Sequence, residues 1–495
     1  MRRAGVVAAG HPLSARAGAR ALRAGGNAVD AALGAMLTAF ACEPLLTGLG
    51  AGGYMMIQSP GKRALLLDFF VEAPGRKPPP TARAALVPVA VCFGGAAQQF
   101  HVGVASAGCY GMPAGIVAAS QRFGSMPLRE LVAPAAALAR GGVALNSQQA
   151  YVVKLLEGIV TSTPECATLF APGGVLVGEG AIVRQPELAD ALELLADQGA
   201  EPFYRGEIAQ AVAAWVGERG GRLSLADLRA YRVIEREPLQ VAYRGRQVAT
   251  NPPPSAGGIL IACALSLLER LPASPEPTTL VAVMEQVQAQ RTPEFTEGLG
   301  REGFAATFLA TRCGGGLGST THVAVIDRTG LACSVTCSNG SSSGVIVPGT
   351  GIHLNNMLGE RDLNPLGFDR HPPGRRLPSM MAPTIVSRDG RPELALGSAG
   401  SSRIRSAIVQ TIVRVIDEGL TAQEAVSAPR LHYEDGVVFA EPGIDTRPLQ
   451  QRELEVARFA EPNLFFGGVQ AAQRDITGRL WGGGDPRRGG DAVVV

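Results

Sequence analysis

The chain reads as a layered α/β protein, because candidate strands both precede and follow candidate helices along its length. Two features sharpen that expectation. A hairpin pattern over residues 321–337 is followed by a long amphipathic helix, and no internal repeat of solenoid length is detectable. With 495 residues, 46% of them hydrophobic, the chain can bury the core of one large domain or two ordinary ones.

Taken in order, Ser14 to Arg23 has the pattern of a short amphipathic helix stopped at Gly25-Gly26-Asn27. An apolar helix from about Ala28 to Phe40 ends before Glu43-Pro44. The run Thr47-Gly48-Leu49-Gly50-Ala51-Gly52-Gly53 then leads into a strand, Tyr54 to Gln58. Glycines allow close backbone approach there, and the run lacks the Gly-Lys-Ser/Thr ending of a phosphate loop. Residues 110–235 read as helical, with Leu128 to Arg140, Pro186 to Gln198 and Gly206 to Arg219 as candidates and a capped start at Leu223 to Asp227. Pro252-Pro253-Pro254-Ser255 forbids regular structure before an apolar helix through Leu268. Pro272 to Gly318 is the least patterned stretch and ends in a glycine tether, Cys313 to Gly318. Beyond it, two strands flank the turn Asp327-Arg328-Thr329-Gly330, further strands fit Thr384 to Ser387 and Glu393 to Leu396, and a helix fits Ile404 to Glu418.

Composition removes several function classes. Lys+Arg 45 against Asp+Glu 43 gives a formal net charge of +2, which offers no case for nucleic acid or an anionic membrane as partner. No apolar run approaches the roughly 20 residues of a spanning helix. The start, Met1-Arg2-Arg3 and then Ala4 to Gly10, lacks the apolar region of an export signal, so the expected location is cytoplasmic, or periplasmic if such a signal precedes this sequence. The eight cysteines show neither zinc nor disulfide spacing and read as reduced, mostly buried small hydrophobes. His11, His101, His353, His371 and His432 show no metal-ligand spacing.

The segment Gly318-Ser319-Thr320-Thr321-His322 admits two readings. β-branched residues simply begin strands well. Alternatively, a tether delivers a threonine to the head of a buried strand, where its hydroxyl attacks the preceding carbonyl. Hydrolysis of the resulting ester frees a new N-terminal residue. Its α-amine, which in a free peptide titrates at about 7.7–8.0, then serves as general base.

Seven blocks in order carry a resemblance. They are Gly10-His11-Pro12-Leu13-Ser14 through Gly25 to Ala32; Glu43-Pro44 with the glycine run; Pro252 to Gly258; Thr320-Thr321-His322 with Asp327 and Gly330; Pro348 to Asn356; Gly397-Ser398-Ala399-Gly400-Ser401-Ser402-Arg403; and Asp485-Pro486-Arg487-Arg488. Together they resemble the γ-glutamyltranspeptidase (glutathione hydrolase) family of the N-terminal-nucleophile hydrolase superfamily. The resemblance implies an αββα sandwich built from a large fragment, residues 1–319, and a small one, 320–495, which stay associated as a heterodimer. It implies no cofactor and no metal. Thr320 would be the nucleophile, with the cleavage site between Ser319 and Thr320. Gly400 and Ser401 would supply the oxyanion N–H groups, Ser338 would contact the nucleophile's α-amine, and Asn339, Glu360 and Ser379 would contact substrate.

Departures from the family pattern bear on that substrate. Phe69-Phe70-Val71 stands where the family shows Phe-Arg-Glu, whose Arg clamps the substrate carboxylate; Met357 and Glu360 replace a Gln and an Asp, and Pro378-Ser379 replaces a Ser-Ser pair. Arg375-Arg376 is either a solvated pair or a substitute clamp. The expected activity is γ-glutamyl transfer to an amine acceptor or water. The alternatives are an acylase acting on non-glutamyl amides, such as cephalosporin-type ones, and a silent homologue that only binds an amino-acid derivative.

Overall fold

Two antiparallel sheets stack face to face between two layers of helices. The computed structural model describes residues 5–80, 83–92, 97–290, 292–301, 303–305, 308, 320–364 and 366–495. The first sheet has seven strands in the order Asp491–Val494, Gly5–Ala9, Thr321–Asp327, Ala332–Ser338, Gly52–Gln58, Leu65–Phe69 and Ile234–Arg236. The second has six, in the order Leu480–Gly484, Gly468–Arg474, Arg391–Ala399, Thr384–Arg388, Arg246–Thr250 and Leu239–Tyr243.

The two-residue period of a strand explains the layering. Val6, Ala324 and Ile326 point between the sheets and meet Ala249, Ile385, Ala395 and Ala472 of the second sheet. Their neighbours Val7, Val323 and Val325 point outward onto helices Pro12–Arg23 and Ala28–Cys42. Val248, Val386, Leu394 and Val469 likewise leave the second sheet's outer face for helices Ala256–Leu268, Pro277–Ala289 and Arg403–Ile416. Strands buried on both faces read as continuous apolar runs, which is why Gly5–Ala9 is a central strand although its sequence shows no alternation.

Local chemistry sets the entry to the helix nearest the site. Asn27 Oδ1 accepts from Val29 N at 2.8 Å, while Asp30 returns the bond to Asn27 N at 2.8 Å. Asp327, in the hairpin turn, accepts from Thr329 N at 2.8 Å and from Ala28 N at 3.2 Å. One carboxylate thus ties the turn of the central hairpin to the start of the helix above it.

Two expectations are corrected. The poorly patterned stretch after Pro272 contains helices Pro277–Ala289 and Pro293–Gly298, each opened by a proline in its first turn. Cys263 is disulfide-bonded rather than reduced. Spacing along the chain carries no signal for a sulfur pair that only the fold brings together. Cys42, Cys109, Cys166, Cys333 and Cys337 are free and buried, and Cys92 is free and exposed. The tether Cys313 to Gly318 and Ser319 lie outside the described residues. Among the described residues no helix is long and apolar enough to cross a membrane.

Candidate active site

Thr320 stands one residue before the strand Thr321–Asp327 and is 1% exposed. The pairing Thr321↔Cys337 and His322↔Thr336, continued by one step, sets Thr320 against Ser338. Residues opposed in an antiparallel pair share a face. Thr320, Ser338, His322 and Thr336 therefore face the space between the sheets, as Ala324 and Ile326 do. Thr320 Oγ1 is buried and has no hydrogen-bond partner among the described residues. A buried hydroxyl left unbonded is costly and calls for an explanation. His322 shares that face, but Nδ1 lies 2.8 Å from Thr336 Oγ1 and Nε2 lies 3.4 Å from Ser334 Oγ. Burial lowers its pKa to about 3, so the imidazole is neutral and fully engaged.

The second sheet supplies the facing wall. A Cβ on Gly397 would lie 2.4 Å from the His322 ring, so strand Arg391–Ala399 runs directly against the strand that Thr320 opens. That strand ends at Gly400 (φ 117°) and Ser401 (φ 65°), which turn the chain into helix Arg403–Ile416. Their amides precede that helix, whose N-cap is Ser402 and whose own first N–H groups lack intrahelical acceptors and favour negative charge. Ser401 holds a left-handed conformation that glycine adopts without cost. Next to it, Ser402 Oγ donates to Glu434 Oε2 at 3.0 Å.

The loop after Ser338 forms a polar wall. Ser338 Oγ accepts from Gly340 N at 2.7 Å, Ser341 N donates to Glu360 Oε1 at 2.8 Å, and Asn356 Nδ2 donates to Ser341 Oγ at 2.7 Å. Asn339 is fully buried, yet neither atom of its side-chain amide is bonded among the described residues. Its main chain is fixed by N–H donation to Leu46 O at 2.9 Å and by acceptance from Asn356 N at 3.0 Å. Ser379 is buried beside Ser255: its Oγ accepts from Met381 N at 3.0 Å and its carbonyl accepts from Ser255 Oγ at 2.9 Å.

Two of the positions that depart from the family pattern, Phe70 and Met357, are apolar in structure as well as in sequence. Phe70 is fully buried, stacks on Tyr54 at 5.3 Å, and shares one cluster with Met357, Leu358 and Met381. Arg376 is not a solvated residue and does not replace the clamp. It is buried and ion-paired to Asp68 at 3.2 Å and Glu72 at 3.5 Å, and its Nη1 donates to Phe70 O at 2.6 Å. Arg375 lies beside Gly300.

Sequence reasoning passed over Glu43 except as part of a motif. It is 4% exposed, and its Oε1 accepts from Thr321 Oγ1 at 3.2 Å. Burial pushes its carboxyl up to about 7, against the opposing effects of the Thr321 bond and the Arg488 guanidinium. A carboxylate directly after fifteen helical residues with only one charge was the available signal.

No group of three or more His, Cys, Asp or Glu that could hold a metal occurs among the described residues. An αββα sandwich with a buried threonine at the head of a central strand is the architecture of an N-terminal-nucleophile hydrolase. The family model described as Gamma-glutamyltranspeptidase matches residues 14–297 and 309–495. An "Acylase ACY 1 proenzyme" of Pseudomonas sp. (strain SE83) is 29% identical, over 99% of this chain and 93% of its own. A "Glutathione hydrolase proenzyme" of Escherichia coli (strain K12) is 30% identical, over 98% and 90%. The solved cephalosporin acylase from Bacillus halodurans superposes with a TM-score of 0.82 at 27% identity, covering 99% of this chain and 96% of that one. The chain belongs to the γ-glutamyltranspeptidase family and is an amidohydrolase or acyltransferase of the N-terminal-nucleophile type.

Proposed function

We propose that this enzyme cuts its own chain between Ser319 and Thr320 and then hydrolyses or transfers the acyl group of an amide whose acyl pocket is apolar. The observation that carries the reading is the buried, unbonded Thr320 hydroxyl across from Ser338 at the head of a central strand. In self-cleavage that hydroxyl attacks the Ser319 carbonyl, the peptide nitrogen becomes the free amine of Thr320, and water releases the ester. In turnover the freed amine takes the Thr320 hydroxyl proton as the oxygen attacks a substrate amide, then delivers a proton to the leaving amine. Ser338 holds the amine, and Gly400 and Ser401 N–H groups meet the oxyanion. Water or an amine acceptor collects the acyl group. His322 is unsuited as the base, because burial lowers its pKa to about 3 and makes it a weak one, and both its nitrogens are occupied.

The apolar acyl reading is supported by Phe70 and Met357 in one buried cluster and by Arg376 being spent on Asp68 and Glu72. A γ-glutamyl reading draws on Glu360 and the unbonded Asn339 amide, which suit a substrate ammonium. Denaturing electrophoresis tests the cleavage: the small fragment should begin Thr-Thr-His-Val, and Thr320→Ala should stay whole. A wild-type chain that stays whole after prolonged incubation at neutral pH sinks the mechanism. Comparing kcat/KM for glutaryl- and γ-glutamyl-p-nitroanilide separates the acyl readings, and a preference of about a hundredfold or more for the γ-glutamyl compound, beyond the loss of one charged contact, favours the second.

A further inference from the structure

We propose that Glu43 is a positioning residue that pins Thr321, and through it Thr320, once the peptide bond before Thr320 has been broken; this rests on Thr320 being the nucleophile. Thr321 lies on the opposite face of the strand from Thr320, so its hydroxyl cannot reach the reacting atoms. Its partner is instead Glu43 Oε1, at 3.2 Å, on the helical side of the sheet. Gly10 makes room for the pair: a Cβ there would stand 2.6 Å from Glu43 Oε1 and 3.0 Å from Thr321 Oγ1.

The turn that carries Glu43 holds the rest of the site as well. Leu46 O accepts from Asn339 N at 2.9 Å, and Thr47 Oγ1 donates to Cys337 Sγ at 3.2 Å. Pro44 O lies 3.1 Å from His353 Nδ1. One five-residue turn thus grips Thr321 and Cys337, which face each other across the ladder, and Asn339 beyond them. The other carboxyl oxygen, Oε2, is buried without a hydrogen-bond partner among the described residues. Glu43 lines a cavity of ≈ 30 Å³ with Gln148, Gln149, Leu464 and Arg488, which has room for a water.

The need for such a pin arises from the cut itself. In the whole chain, covalent bonds restrain Thr320 on both sides. In the cut chain it is a terminus, and termini fray unless tied down. A displacement of about 1 Å at a reacting group costs up to about a hundredfold in rate. A buried bond one residue inward, on the face away from substrate, restrains the terminus without obstructing the site.

The test uses the full chain with Thr321→Val, which removes the hydroxyl but keeps the shape, and Thr321→Ser and Glu43→Gln, which keep a donor and an acceptor. Self-cleavage is followed on denaturing gels, and kcat and KM are measured on whichever of the two anilides the wild type turns over faster. Thr321→Val is expected to be cut and to lose about tenfold in kcat at unchanged KM, with Thr321→Ser and Glu43→Gln recovering most of that loss. Should Thr321→Val not fold, Glu43→Ala carries the same expectation. A cut Thr321→Val protein with wild-type kcat, or one altered only in KM, overturns the pin while leaving Thr320 as nucleophile. A wild-type chain that is never cut overturns the nucleophile, and the pin with it.

Discussion

Burying a carboxyl makes folding depend on pH, and Glu43 gives that dependence a definite sign. Its folded pKa of about 7 lies above the 4.5 of a free glutamate. The contribution to stability is full below pH 4.5, where both states are protonated, and is lost as pH rises through about 7. Glu43→Gln, neutral throughout, should therefore match wild type in unfolding free energy near pH 4.5 and exceed it at pH 8, by at most about 3 kcal/mol. An equal difference at both pH values would contradict the burial argument. Phe70→Arg tests the neighbouring face: it should raise the γ-glutamyl to glutaryl ratio of kcat/KM by about ten- to a hundredfold. An unchanged ratio would remove Phe70 from the acyl pocket. Motifs in the sequence single out Thr320, Ser338, Gly400 and Ser401; the fold sets Thr320 against Ser338 at the ends of two paired strands and puts Gly400 and Ser401 just after a strand of the other sheet. Glu43 was not legible as a partner, because only the register of the folded sheet brings residue 43 to residue 321. The same holds for Arg376, whose ion pairs to Asp68 and Glu72 cross about three hundred residues of sequence.

Among the elements, the turn into helix Arg403–Ile416 shows a local conflict between residue and conformation. Ser401 at φ 65° occupies the left-handed region, which costs a side-chain-bearing residue about 1–2 kcal/mol. Ser401→Gly should consequently raise the urea midpoint, by about 1 kcal/mol in stability, with kcat retained because the backbone N–H is unchanged. Ser401→Val should shift the midpoint the other way, and a midpoint that ignores both substitutions would show the turn to be unstrained. Helices with caps and clean periodicity were readable from sequence, Pro186–Gln198 to the residue. Pro277–Ala289 was not, since its Thr-Thr-Leu-Val-Ala-Val run carries β-branched residues that blur the helical period. Edge strands such as Ile234–Arg236 are too short to show any alternation and exist only through their neighbours.

At the scale of the molecule, the proposed cleavage before Thr320 would divide the 51.2-kDa chain of 495 residues into 319 and 176, about 33 and about 18 kDa in proportion. These fragments should appear as two bands on a denaturing gel and as one species in native gel filtration. The reason is the interleaving of strands: Asp491–Val494 pairs with Gly5–Ala9, which pairs with Thr321–Asp327, while Ala332–Ser338 pairs with Gly52–Gln58. In the second sheet, Thr384–Arg388 pairs with Arg246–Thr250. That interleaving would make the proposed cut a one-way event in the history of each molecule. Before it, every ladder closes within one chain and refolding is a first-order process. After it, four of those ladders would be an interface between two chains, so regaining the fold would require an encounter whose frequency falls with dilution. The cleaved protein should show an unfolding midpoint that drops as protein concentration is lowered, whereas uncut Thr320→Ala should not. An enzyme that released its nucleophile in this way would give up the means of rebuilding itself alone.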